Sequence, residues 1–372
     1  MPIVSLTFFD VKNHFDTISV LKGDVGMGSS SDAKEKFLKK YKNIQLEKDF
    51  EIAEKRIPDF WKKLERIRNH YEESKDSYKQ ALSGIIDEIS KKDMNIDNPV
   101  IHSIRYRIKD VDSLTVKIIK KCARLPEHPQ NNPEIEKYRE ISEENYYQMI
   151  TDLVGIRILI RYRYQWQDVH SLIWGIFDHS QYQDFEDWKN AYSADPAKKY
   201  IVEKPKAYIK QESDRSTYEA IGKNIFDIRD SDNHYASIHY IINRSGTLCE
   251  IQVRTIFDEA WCECNHDFVY KLNNKRNTDK NTLESLSKIL SQHTTAAESI
   301  VSLMCDLAGH PSAQKKSSAK TSNDKNSKNN SSAKAHSDKN NSSETFLSVQ
   351  KRVDQLLQTG SFIDRLLNGD KQ

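Results

Sequence analysis

Apolar residues return at three-, four- and seven-residue steps through Ile57, Trp61, Leu64, Ile67, Tyr71, Tyr78, Leu82 and Ile86. That rhythm predicts helix over about 33–92, with one stripe turned inward, and Pro58 suits the first turn of its main segment. Beyond residue 100 the period shortens to two. SIRYRI (103–108), VGIRILI (154–160), AYIK (207–210), YASIHYII (235–242) and TLCEIQV (247–253) read as strands, the last two joined through a turn at Gly246. Helical patterns fall between and after them: DSLTVKIIKKCARL (112–125), VHSLIWGIF (169–177) and about 256–271. Strands mixed with helices, including a hairpin, predict an α/β (α+β) domain built on a mixed sheet flanked by helices. Residues 281–308 read as one more amphipathic helix.

Outside these elements the pattern fails. Residues 1–30 are mixed and end in GDVGMGSSS. Residues 311–343 hold seven lysines, two aspartates and no large apolar side chain. Such a stretch buries too little to offset its ordering entropy and is expected to be a disordered linker. Residues 344–372 are apolar again, with Phe346, Leu347, Val349, Val353, Leu356, Leu357, Phe362, Ile363, Leu366 and Leu367 at helical spacing. The expected organisation is a helical N-terminal region (1–98), a central domain (99–275), a C-terminal helix (276–310), the linker (311–343) and a helical tail (344–372). The tail is suited to folding back, oligomerising or binding a partner.

Composition adds mostly exclusions. In 372 residues, 57 Lys+Arg against 55 Asp+Glu leave +2, so overall charge argues for neither nucleic acid nor membrane. No stretch approaches the roughly 20 apolar residues of a membrane span, and the N-terminus lacks the basic start and apolar run of a signal peptide. Five cysteines without framework spacing fit free thiols in a reducing cytoplasm. Cys262 and Cys264 are too close for a zinc knuckle and have no second pair, so core or incidental thiols are expected.

Four segments carry candidate chemistry. In YRIKDVDSLTVKIIKK (106–121), Arg107 and Lys109 share a strand face, while Ser113 and Lys117 lie one turn apart at the front of the next helix. Cations meeting a helix N-terminus suit a polyphosphate; a solvated basic face is the plainer alternative. In DLVGIRI (152–158), Asp152 precedes the strand as a candidate magnesium ligand or a simple cap, Gly155 permits close approach, and Arg157 alternates out of the apolar set. In HYASIHY (234–240), Tyr235, Ser237 and His239 share a face suited to stacking on a base and holding a phosphate, or to an aromatic edge strand. In EIQVRT, Glu250, Gln252 and Arg254 point one way while Ile251 and Val253 point the other. In the helix that follows, Glu259, Glu263, His266 and Tyr270 form one stripe, and Phe257, Trp261, Cys264 and Phe268 an opposite one expected in the core.

Taken in order, these blocks resemble the synthetase domain of RelA/SpoT-type alarmone synthetases. R-x-K-x-x-x-S-x-x-x-K matches at Arg107, Lys109, Ser113 and Lys117; D-x-x-G-x-R at Asp152, Gly155 and Arg157; Y-x-S-x-H at Tyr235, Ser237 and His239; E-x-Q-x-R-T at Glu250, Gln252, Arg254 and Thr255. Trp261, Glu263 and His266 are similar to the family's W-x-E-x-x-H run. The resemblance implies a nucleotidyltransferase-like fold and a magnesium-dependent ATP pyrophosphokinase. It implies that Arg107, Lys109, Ser113, Lys117 and Arg157 bind ATP, and that Asp152 and Glu250 hold Mg2+ and act catalytically. It implies that Tyr235, His239, Gln252 and Arg254 meet the acceptor.

The flanks of Tyr235 depart from the family pattern: His234 and Ala236 stand where glycine and a polar or basic residue are usual. A long insertion, about 161–233, carries Lys204, Lys206 and Lys210, of which Lys206 and Lys210 are expected to replace acceptor cations, a surface basic cluster being the alternative. Neither the hydrolase half nor the regulatory modules of the long relatives are expected here, only His14 and His70 standing before residue 100. Three functions follow from the resemblance and its departures: (p)ppGpp synthesis from ATP and GDP or GTP, toxin-like pyrophosphorylation of the tRNA 3′ end, or a non-catalytic RNA-binding or regulatory module. The expected setting is cytoplasmic, without membrane, with a homo-oligomer and an antitoxin or regulatory protein as possible partners.

Overall fold

The computed structural model describes residues 30–41, 44–96, 99–177, 200–210, 212–222, 225–231, 235–270 and 277–308. The expected linker 311–343, the tail 344–372 and His234 lie outside the described residues. The helical stretch predicted over 33–92 is three helices: α1 (Ser30–Tyr41), α2 (Ile44–Arg56) and α3 (Phe60–Met94). Pro58 falls in the break rather than in a first turn, and Asp59 caps α3 from the left-handed region with φ 52°. The predicted stripe of α3 is buried, and Ile85 and Ile89 extend it in place of the partly buried Ile86.

The central domain follows as β1 (Ile101–Ile108), α4 (Val111–Cys122), the single turns α5 (Pro133–Glu136) and α6 (Tyr146–Met149), β2 (Val154–Ile160) and α7 (Trp166–Trp174). Then come β3 (Tyr200–Ile201), β4 (Lys206–Ile209), α8 (Arg215–Glu219), β5 (Asp227–Asp230), β6 (Ser237–Arg244), β7 (Thr247–Thr255), α9 (Ile256–Asn265) and α10 (Asn277–Leu307). Seven strands form one mixed sheet in the order β1-β2-β7-β6-β4-β5, with β3 paired to β6. β2 and β7 run parallel at the centre, and β6 and β7 form the predicted hairpin. Its turn places Ser245 and Gly246 at φ 52° and 79°, the pair of positive angles that a tight hairpin turn requires and glycine supplies without strain. The two-residue β3 and the polar β5 went unpredicted because neither shows a usable period.

One sheet face carries Ile156, Ile158, Ile238, Tyr240, Cys249, Ile251 and Val253, all buried in a core shared with α3, α4 and α7. Arg244, at the end of β6, anchors the hairpin to α3: its guanidinium pairs with Glu88 at 2.5 Å. It lies where a Cβ on Gly84 would come within 2.5 Å of it, so Gly84 leaves that space open. The other sheet face is polar and half-covered by α9. Among the described residues no helix is long and apolar enough to cross a membrane.

Candidate active site

Register, rather than any single residue, makes the polar face. Residues opposed across a ladder point the same way. Glu250 on β7 opposes Gly155 on β2, which opposes Arg107 on β1. One step along, Gln252 opposes Arg157 and His239, and Arg157 opposes Arg105. Polar residues two apart on four adjacent strands therefore converge on one surface. A cavity of about 900 Å³ opens there, lined among others by Arg105, Arg107, Arg157, Tyr208, Tyr235 and Glu250.

Glu250, Gln252 and Arg254 point at one another and at β6. The Arg254 guanidinium donates to the Tyr235 hydroxyl at 2.6 Å and to Gln252 Oε1. The Tyr235 hydroxyl lies 2.7 Å from His239 Nε2, and His239 Nδ1 lies 3.1 Å from Glu250 Oε1. The Gln252 amide donates to Glu250 Oε2 at 2.8 Å. Because arginine only donates, the directions follow: the Tyr235 hydroxyl donates to Nε2, leaving Nδ1–H to donate to Glu250. Two donor chains thus run from one guanidinium to one carboxylate and close a ring. Burial works against the charge on Glu250, but the hydrogen bonds from His239 and Gln252 and the nearby imidazole together hold the carboxyl below its ordinary value. Burial pushes the Tyr235 hydroxyl up to about 12 despite the nearby Arg254 charge.

Glu259, one turn into α9 and 4% exposed, anchors the arginines. It lies 3.0 Å from Arg254, 2.9 Å from Arg157 and 3.5 Å from Arg105. Glu263 adds a 2.6 Å pair to Arg157. Helix α9 can present these acids because Thr255 caps it, its side chain accepting from the Asp258 amide at 3.1 Å.

At the other end of the face, Asp152 sits just before β2. Lys109 lies 2.9 Å from its Oδ2 and Lys117 2.8 Å from its Oδ1. Burial opposes ionisation of Asp152, but Lys117 and Lys109 prevail and keep its carboxyl below the usual range. Burial pushes the Lys109 ammonium down against the pull of Asp152. Ser113 lies exposed in the first turn of α4, and its amide already donates to the capping Asp110 at 3.0 Å. The capping acid thus occupies one amide of this helix start.

The structure brings Arg107, Arg157, Tyr235, Glu250, Gln252 and Arg254 to one cavity, with His239 behind Tyr235 and the Lys109–Asp152–Lys117 corner beyond Arg107. It does not bring Lys206 and Lys210 there. Lys206 pairs with Glu203, and the Lys210 ammonium, 4% exposed, is turned into a buried pair with Asp258. Lys210 is taken up in the interior, whereas Lys206 opposes His239 on the polar sheet face and lies outside the lining of this cavity. Phe268, expected in the core, is exposed on the π turn His266–Tyr270 that follows α9. Arg105 and Tyr208 were missed as site residues. Period two offered both, since Arg105 precedes Arg107 by two and Tyr208 opposes Ser237.

Each carboxylate has the chemistry of a magnesium ligand, Glu250 on the cavity wall and Asp152 in the lysine corner outside its lining. Both are held ionised, both are oxygen donors, and the Asp152 charge is felt at Glu250, where it opposes ionisation. Oδ1 of Asp152 is buried with no hydrogen bond beyond its ion pair. Among the described residues no group of three or more His, Cys, Asp or Glu forms an all-protein metal cage.

A mixed α/β domain with a cation- and carboxylate-lined cavity on its polar sheet face is the class these features define. Residues 106–275 match the family model of the region found in RelA / SpoT proteins. The small alarmone synthetase 1 of Bacillus subtilis is 16% identical, covering 65% of this chain and 100% of its own, with a TM-score of 0.40. A GTP pyrophosphokinase family protein of Streptococcus pneumoniae is 18% identical over 62% of this chain and 92% of its own, TM-score 0.37. The small alarmone synthetase 2 of Bacillus subtilis is 18% identical over 63% and 96%, TM-score 0.34. No curated protein matches the chain.

Proposed function

We propose that the central domain, residues 99–275, is an ATP pyrophosphokinase that acts on the 3′-hydroxyl of GDP or GTP. The observation that carries this reading is the ring: one ionised carboxylate, Glu250, oriented by two donor chains and opposed across Gly155 to Arg107. Arg107, Lys109, Lys117 and Arg157 bind the ATP phosphates, with the Ser113 hydroxyl at their edge. Phosphate oxygens replace carboxylates as partners, so Lys109 and Lys117 release Asp152, and Arg157 releases Glu263, as ATP enters. Asp152 and Glu250 would hold Mg2+, which supplies neutralisation of the triphosphate charge.

On the acceptor side, Tyr235 offers a ring face for a base. Its other face carries the Arg254 guanidinium at 4.9 Å, which stiffens the platform. The acceptor 3′-oxygen forms a bond to the β-phosphorus, the bond from that phosphorus to the α,β-bridging oxygen breaks, and AMP leaves with the electron pair. Glu250 takes the hydroxyl proton. The work of the site is positioning and charge neutralisation, as phosphoryl chemistry requires.

Incubation of the full chain with γ-labelled ATP, magnesium and GDP, GTP or bulk tRNA tests this. Label in a guanosine nucleotide with matching AMP is expected. Label in tRNA instead would replace the acceptor, and no AMP with any acceptor would overturn the transferase reading in favour of a binding module.

A further inference from the structure

Helix α10 packs the wrong way round for a surface helix. Its described buried positions are Ser291, Thr294, Glu298, Leu303 and Cys305, of which the first three are polar. Its exposed positions are Leu286, Leu290, Ile300, Met304 and Leu307, five of the nine large apolar side chains that stand exposed among the described residues. With His293 and Ala297 these residues recur at alternating steps of four and three over residues 286–307. That is the 3.5-residue period of a coiled-coil seam, and it lies about a third of a turn round the helix from Ser291, Thr294 and Glu298, with Ala297 half-buried at its edge. A seam of this length left in water is an interaction surface.

The chain contains a matching seam. Phe346, Val349, Val353, Leu356, Gly360, Ile363 and Leu367 follow alternating steps of three and four. We propose that the tail 346–367 of the same chain pairs with the outer face of α10 as an antiparallel helix. Laid antiparallel, the two seams match layer by layer: Leu286 with Leu367, Leu290 with Ile363, Ile300 with Val353, Met304 with Val349, Leu307 with Phe346. The one polar member, His293, then meets Gly360, and the small Ala297 meets Leu356, so bulk alternates with space. The antiparallel direction places residue 346 beside residue 307, and the 38 intervening residues are far more than the return needs. The lysine- and serine-rich composition of that connection leaves it no apolar claim of its own on the seam.

A second copy of the chain is the competing occupant, and hydrogen exchange with light scattering separates the two. In the full chain, amides of 346–367 are expected to exchange at least about tenfold more slowly than those of 311–343, as for a packed against an unpacked segment. The mass is expected to stay monomeric on dilution. Ile300→Lys, an exposed change that leaves the domain core alone, removes the protection. Ile300→Lys with Val353→Glu restores it, whereas Ile300→Lys with Ile363→Glu does not, which fixes the register. Unprotected tail amides in the wild-type chain, protection indifferent to Ile300→Lys, or protection that falls as a dimer dissociates would each overturn the pairing.

Discussion

Two polar networks meet at Thr255, and they are built to opposite ends. The ring of Arg254, Tyr235, His239, Glu250 and Gln252 borders an open cavity. The cluster of Arg163, Lys210, Asp214, Asp258 and Glu298 is closed. Lys210 and Asp258 are each 4% exposed, Arg163 reaches Glu298, Asp214 and Asp258, and Thr255 donates to Glu298. Burial, against the pull of Arg163, pushes the Glu298 carboxyl up. In the closed network every charge is consumed by a neighbour, and its product is the docking of α10 against the end of β7. In the open one, arginines on β1 and β2 remain beside solvent and an oriented carboxylate faces them. Burial and pairing alone mark both networks equally; only the open cavity separates a site from a clamp.

Substitutions sharpen that contrast. The largest effect is expected from Lys210→Met, which takes the nearer of two cations from buried Asp258 and costs up to about 3–5 kcal/mol of stability, with the turnover of the folded fraction unchanged; urea unfolding beside a transfer assay checks both. Next, Glu250→Gln is expected to lower turnover about 10²–10³-fold, the scale of losing one preorganised electrostatic contact, while nucleotide binding and the urea midpoint barely move. Arg107→Ala removes an exposed charged contact worth about 1.5–3 kcal/mol and should raise the ATP requirement more than the acceptor requirement. Tyr235→Phe opens one arm of the ring and leaves the other, so a change of less than about tenfold is expected, confined to kcat or the acceptor KM.

The smallest expected effect is that of pH. Asp152 and Glu250 both lie below the ordinary carboxylate range when folded. Each therefore contributes stability that is complete above the unfolded value, about 4, and is lost as pH falls through the depressed folded one. Between pH 5 and 8 these two groups should leave the unfolding midpoint flat. A midpoint that falls in Asp152→Asn but not in the parent between pH 7 and 5 would mean that the lysine corner, not the carboxylate, titrates.

Much of the sheet was legible because its face is set by period two: VGIRILI is β2 residue for residue, and EIQVRT declared its polar side before any partner was known. Composition and period could not reveal how charges pair. Lys210 and Arg254 look alike in sequence, both basic and both in alternating segments. One ends against Asp258 in the interior and the other joins the ring, a difference made by where α9 and α10 cross the sheet. Glu259 was visible as part of a helical stripe, but its role as anchor of three arginines depends on β1 and β2 arriving beneath α9.

The most direct measurement is a crystal structure of the full chain with a non-hydrolysable ATP analogue and Mn2+ in place of magnesium, with the metal located by its anomalous signal. The account predicts one peak at about 2.0–2.3 Å from carboxylate oxygens of both Asp152 and Glu250, with the triphosphate against Arg107, Lys109 and Lys117. A peak out of reach of either carboxylate, or a triphosphate bound away from that corner, would contradict it.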